Sequence, residues 1–168
     1  MNSKKTVNED NLRVIKGELR DGPAYKCSAN ALSTRPRIKM LNKHTENSIF
    51  KLAEPLSCME QEYNAAFLSK ATDYLLLSHP HDSINGVTQD KTADDTMYRL
   101  SQALELAETV ANTACKNIVK NIDYSKYPDD AMIFEVFNTL PYTRSEVLKI
   151  YVDFPQDMNV WDFSIHRR

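Results

Sequence analysis

The residues best suited to chemistry are gathered in one stretch, Ser78-His79-Pro80-His81-Asp82-Ser83-Ile84-Asn85-Gly86. Two imidazoles and a carboxylate within four positions offer nitrogen and oxygen donors of the kind zinc accepts. The same residues fit a plainer role. Asp82, Ser83 and Asn85 readily hydrogen-bond to nearby backbone at turns, so a capped helix end with incidental histidines has the same composition. Short His/Asp clusters without cysteine or a second histidine face recur by chance. Spacing alone leaves a metal site and a structural turn both open.

The elements that position this stretch are helical. Ser33 or Thr34 can cap a helix in whose first turn Pro36 is tolerated, because the N–H groups there lack acceptors anyway. Ile38, Leu41, Thr45, Ile49, Leu52, Leu56, Met59 and Tyr63 then follow in steps of three and four, which predicts an amphipathic helix over about 34–62. Pro55 falls inside it and predicts a kink near 51–55. A second helix over about 64–78 turns Phe67, Leu68, Ala71, Tyr74 and Leu75 inward and delivers the chain to the polar stretch, read as a loop. A third, over about 91–122, carries the stripe Met97, Leu100, Leu104, Ala107, Ala111, Ala114 and Ile118, with small residues that permit close approach. Such stripes are core far more often than cofactor sites, and Glu105, Glu108, Lys116 and Lys120 lie off the stripe as a solvated face.

Beyond Ile122 the pattern changes. Met132–Phe137 and Glu146–Val152 are rich in β-branched and aromatic residues and predict two strands, at 131–137 and 145–153, joined by a loop. The expected fold is therefore mainly α: an antiparallel three-helix bundle over 33–124, followed over 131–168 by the first strands of a β-rich domain. Two strands are marginal in water by themselves. Leu12–Leu19 likewise resembles a short strand or arm with no local sheet to join. The arm of 1–32 and the unfinished sheet are both expected to be cut edges of neighbouring domains.

Composition narrows the classes of function. The 168 residues carry 21 basic and 23 acidic side chains, a net charge of -2, so no charge excess draws the chain to nucleic acid or anionic membrane. Apolar runs fall far short of the roughly 20 residues a spanning helix needs, and Met1-Asn2-Ser3-Lys4-Lys5 leads into polar residues, with no apolar signal core. Cys27, Cys58 and Cys115 are odd in number and widely spaced, which indicates neither a disulfide framework nor a thiolate zinc site and fits a reducing, cytoplasmic compartment.

Four groups of residues, in order, resemble glycoside hydrolase family 38, the retaining α-mannosidases and related mannosylglycerate hydrolases. Gly17-Glu18-Leu19-Arg20 resembles the segment leaving that family's catalytic domain. Ser33-Thr34-Arg35 through Lys39, with Asn42, Glu46 and Ala53-Glu54-Pro55-Leu56, resembles the opening of its helical domain. His81-Asp82-Ser83-Ile84-Asn85-Gly86 followed by Ala93-Asp94-Asp95 resembles its His-Asp-x-Ile-x-Gly motif, and Val136-Phe137-Asn138-Thr139-Leu140-Pro141 with Arg144 resembles the start of its β-rich region. Together they span roughly residues 12 to 152, and their shared order is far more specific than any one of them.

The resemblance implies a zinc enzyme, or one using another divalent metal, whose N-terminal domain holds most of the site. That domain's His-x-Asp metal motif, nucleophilic aspartate and acid/base carboxylate have no counterpart here, so no catalytic residue is expected in this chain. His81 matches the remaining metal ligand, and Asp82 matches an aspartate beside the bound sugar. His79 lies outside the matched position, with Pro80 where the family often has histidine, and is expected to support the ligand or the turn. A retaining glycosidase needs two carboxyls about 5–5.5 Å apart, which predicts that the chain alone is inactive. Implied partners are an α-mannoside or mannosylglycerate-type carbohydrate and the absent catalytic domain, with neither nucleic acid nor membrane. The competing expectation is a helical protein-interaction module in which His81 and Asp82 merely cap helices.

Overall fold

The computed structural model of the chain describes residues 14, 16, 33–60, 63–129 and 131–153. The expected arm and most of 1–32, and 154–168 of the expected β region, lie outside the described residues. Two units divide the chain, 1–135 and 136–168.

The first unit is helical. Helix α1 (Pro36–Ser48) continues through a π-helical turn (Ile49–Ala53) into α2 (Glu54–Met59), followed by α3 (Ala65–Leu77), a short α4 (His81–Asn85) and the long α5 (Asp90–Lys120). The expected three-helix bundle is present, with hydrogen bonds that fix its directions. Arg35 meets Asp90, the Thr45 hydroxyl donates to the Leu100 carbonyl at 3.3 Å, and Asn117 donates to Glu60 at 2.8 Å, so α1–α2 and α5 run parallel. His79 pairs with Asn42 while the Asn64 N–H donates to Ser57 Oγ, so α3 runs antiparallel between them.

The π turn accounts for the expected kink and corrects the expected core. Pro55 has no N–H for an α-type bond to Lys51, and its ring crowds that carbonyl. The chain answers by widening the preceding turn, where the Glu54 N–H donates to the Ile49 carbonyl five residues back. One extra residue in the turn moves the buried stripe from Leu52 to Ala53: Ile38, Thr45, Ile49, Ala53 and Leu56 are buried, whereas Leu52, Met59 and Tyr63 are exposed. On α3, Leu68, Ala71 and Leu75 are buried and Phe67 is exposed.

Helix α5 buries Ala93, Thr96, Leu100, Ala103, Ala107, Val110, Ala111 and Ala114. Without Ala111 these follow an unbroken three-four alternation, the heptad seam of a left-handed bundle. The seam is made mostly of alanines, while Met97, Leu104 and Ile118 of the expected stripe are half-buried beside it. Thr96 on this seam returns its hydroxyl to the Thr92 carbonyl at 2.9 Å, and the buried Thr45 of α1 shares its one hydroxyl proton between the Leu41 carbonyl at 2.9 Å and the Leu100 carbonyl at 3.3 Å.

The expected strands are not present: the described residues of 131–153 contain none. Ile133, Phe134, Val136, Val147, Leu148, Ile150 and Tyr151 are exposed, Val147 fully. β-branched composition favours a pleated surface only where neighbouring strands and a covering layer exist to pack on it. Among the described residues of the second unit, local bonds are seen. Asn138 Nδ2 donates to the Tyr142 carbonyl at 2.8 Å while its Oδ1 accepts from the Leu140 N–H at 3.2 Å, and Arg144 Nε donates to Glu146 Oε1 at 2.8 Å.

A seam of small residues has a testable cost. Ala107→Leu is expected to destabilise the bundle by about 1–3 kcal/mol through overpacking, and Leu100→Ala by about 2–5 kcal/mol through a cavity. Urea unfolding followed by helical circular dichroism measures both; an unchanged midpoint for Ala107→Leu would show that α5 does not pack along this seam.

Candidate functional site

The polar stretch expected as a loop contains a helix. Pro80 precedes α4 in an extended conformation, and its carbonyl accepts from the Ser83 and Ile84 N–H groups at 2.9 and 3.1 Å. At the other end Gly86 adopts the left-handed region, φ 77° and ψ 21°, with its N–H on the Ser83 carbonyl and the Val87 N–H on that of Asp82. This pair of bonds is a Schellman ending, for which glycine is the favoured residue. The spacing His-Asp-x-Ile-x-Gly thus has a backbone meaning: the donors occupy the first turn of a five-residue helix and the glycine ends it.

The two histidines take different environments. His79 Nε2 lies 2.7 Å from Asn42 Oδ1, and Asn42 Nδ2 donates to Glu46 Oε1 at 2.9 Å; the same Glu46 oxygen is 3.8 Å from the imidazole. This ties the connector after α3 to the side of α1. His81 is 88% exposed, with Nε2 at 3.2 Å from Oδ1 of Asp82, itself 62% exposed. The structure therefore brings His81 and Asp82 together on the surface and pairs His79 with Asn42.

Residues at the start of α1 hold the far end of the turn. Arg35 Nε donates to the Gly86 carbonyl at 3.0 Å, and Nη2 donates to the Thr88 carbonyl at 3.1 Å and to Asp90 Oδ1 at 2.7 Å. Lys39 Nζ donates to the carbonyls of Asn85, at 2.9 Å, and Thr34. Desolvation by burial lowers the Lys39 pKa from its ordinary value. Arg35, Lys39, Asn42 and Glu46 follow steps of four, three and four, a polar stripe beside the apolar one. That spacing was visible in the sequence and is the signal by which these supporting residues are found.

Among the described residues no group of three or more His, Cys, Asp and Glu side chains is gathered closely enough to hold a metal ion. His81 and Asp82 offer an imidazole nitrogen and a carboxylate oxygen, both accessible and both of the donor types zinc takes. The pair fits a site shared with donors from elsewhere and does not close one by itself.

The family model of the alpha mannosidase middle domain matches residues 29–118, more than half of the 168-residue chain. The chain belongs to this family, the helical middle domain of glycoside hydrolase family 38. Two solved structures are similar to the middle domain described here, a protein in glycosyl hydrolase family 38 from Enterococcus faecalis and an alpha-mannosidase from Enterococcus faecalis V583. Each has a TM-score of 0.58 and 30% sequence identity, covering 60% of this chain and 12% of the other. The chain thus spans about an eighth of the length of these family 38 structures. No curated protein matches it.

The geometry of this middle domain predicts the effect of filling Gly86. A Cβ there would lie 3.1 to 3.3 Å from the Cβ, Cγ and Cδ of Arg35, in a backbone conformation that disfavours side chains. Gly86→Ala is expected to cost about 1–2 kcal/mol for the left-handed conformation alone, and more as Arg35 is displaced. Thermal unfolding of the two proteins provides the comparison, and equal stability would contradict the observed turn.

Proposed function

We propose that this middle domain serves a metal-dependent, retaining α-mannosidase-like hydrolase, with His81 as one ligand of a shared zinc or other divalent ion. Asp82 is assigned to accept hydrogen bonds from hydroxyls of the bound sugar. The observation that supports this best is the separation of the two histidines: His79 is engaged with Asn42, while the imidazole of His81 stands exposed on a braced turn beside an exposed carboxylate. A cation bound there would supply Lewis-acid binding of sugar hydroxyls. His81 would contribute its imidazole nitrogen, and Asp82, the next residue of the same helical turn, would orient the sugar against it. His79 would keep the connector docked on α1.

The remaining donors and the paired carboxylates of a retaining mechanism are assigned to a preceding catalytic domain, of which residues 1–32 would be the tail. Residues 33–124 would form the middle domain and 131–168 the beginning of a C-terminal β domain. The substrate class is an α-mannoside or a mannosylglycerate-type carbohydrate. Among the described residues no helix is long and apolar enough to cross a membrane, and Cys58 and Cys115 are free thiols; both are compatible with the cytoplasmic setting we propose. Family membership favours this function over a helical interaction module.

Purified without its larger context, the 168-residue chain is expected to show no turnover of an aryl α-mannoside; genuine turnover would refute the division of the site. In the full-length enzyme, His81→Ala is expected to lose metal and activity together. Asp82→Asn should keep most of its metal and lose about 10- to 100-fold in kcat/KM, the effect of one charge-assisted hydrogen bond. His79→Ala should be milder than either. Metal analysis of the purified variants decides: stoichiometric zinc in an active His81→Ala enzyme rules out the ligand assignment.

A further inference from the structure

We propose that Arg35 is a positioning residue for His81 and Asp82, acting through Gly86 and the closing turn of α4. The inference rests on the function proposed above for that pair. Helix α1 needs something at its start, but Arg35 makes no side-chain bond to the helix's own free N–H groups. Serine, threonine or aspartate would cap it better and without strain. Arg35 instead sits in the left-handed region, φ 44° and ψ 61°, where a residue with a side chain is disfavoured. Strain of this kind persists where surrounding contacts hold it, and the contacts here all lie across the turn.

The guanidinium reaches three acceptors, the Gly86 carbonyl, the Thr88 carbonyl and Asp90 Oδ1. Its aliphatic stem lies over Gly86, so close that a Cβ on the glycine would meet it. Lys39 takes the preceding carbonyl, that of Asn85. The end of α4 and the connector to α5 therefore receive much of their hydrogen bonding from the beginning of α1. A five-residue helix is too short to persist by its own hydrogen bonds, and Asp82 closes the same turn through its carbonyl, which accepts from Gly86 and Val87. Fixing Gly86 fixes the backbone that carries His81 and Asp82. The fork of an arginine suits this task because its Nε and Nη2 donors are held apart in one rigid plane, whereas the three donors of a lysine ammonium radiate from a single atom on a flexible stem.

Two measurements test this. In the 168-residue chain, amide hydrogen exchange at Ser83, Ile84, Gly86 and Val87 is expected to quicken about tenfold or more in Arg35→Ala, while amides along the buried seam of α5 keep wild-type rates. Arg35→Lys should fall between the two, and it carries the test if the alanine variant does not fold. Turn amides that exchange at the wild-type rate overturn the positioning role. In the full-length enzyme, affinity for zinc alone, measured by chelator competition, is expected to fall about 10- to 100-fold in Arg35→Ala. Unchanged affinity beside a loosened turn overturns the link from Arg35 to the metal. If His81→Ala keeps its zinc, the ligand assignment fails, while quickened turn exchange in Arg35→Ala still supports the arginine as the group that holds His81 and Asp82 in place.

Discussion

The close approach of α5 to its neighbours is the constraint on which the other features depend. Its buried seam is largely alanine, and alanine contributes little transfer free energy when buried, so the gain comes from bringing whole helices together and from the dispersion contacts this permits. Near one end of the seam Arg35 meets Asp90, in the middle Thr45 reaches the Leu100 carbonyl, and at the other end Asn117 meets Glu60. Of these, the Thr45 bond needs the closest approach, because a short side chain must reach the backbone of the facing helix. The polar bonds and the apolar seam thus agree on one parallel register of first and last helix.

The same register brings the beginning of α1 to the connector that enters α5. Cations at positions 35 and 39 then meet carbonyls at 85, 86 and 88 that would otherwise face solvent. At the other end of the connector, His79 engages Asn42 and Glu46 of the same stripe. What remains accessible between these attachments is the first turn of α4. The backbone beneath this surface pair is thus held at both ends by one polar stripe of α1 while the two side chains stay exposed.

Helix existence and order were legible in the sequence because three-four apolar spacing reports directly on one buried face. Finer placement was less so. The stripe through Leu52 assumed a uniform 3.6-residue period, and nothing in the hydropathy of Ile49–Ala53 announces a wider turn; only Pro55 does, through the hydrogen bond it cannot make. On α5, hydrophobicity drew attention to Met97 and Leu104, whereas the innermost positions went to alanines because small residues win where backbones approach. The segments at 131–137 and 145–153 have strand composition, but composition cannot supply the partners a ladder needs. At the site, His81, Asp82 and Gly86 were legible as a motif. The stripe of Arg35, Lys39, Asn42 and Glu46 was visible as spacing, but which carbonyls Arg35 and Lys39 would meet was not, since those lie some 50 positions away and are brought close only by the bundle.

The π turn has a geometric consequence for the first helix as a whole. A turn that holds one surplus residue acts as a fixed angular offset between two rods, so α1 and α2 present faces rotated from those of a uniform helix even though the chain runs through both without a break. Upstream of it, Asn42 and Glu46 are aimed at the connector after α3; downstream, Ser57 and Glu60 are aimed at the start of α3 and the end of α5. A single helix of constant pitch would have to compromise between these two sets of targets. With Pro55 fixing the offset, each half of the helix presents its polar residues to its own targets while Ile49, Ala53 and Leu56 stay buried across the turn.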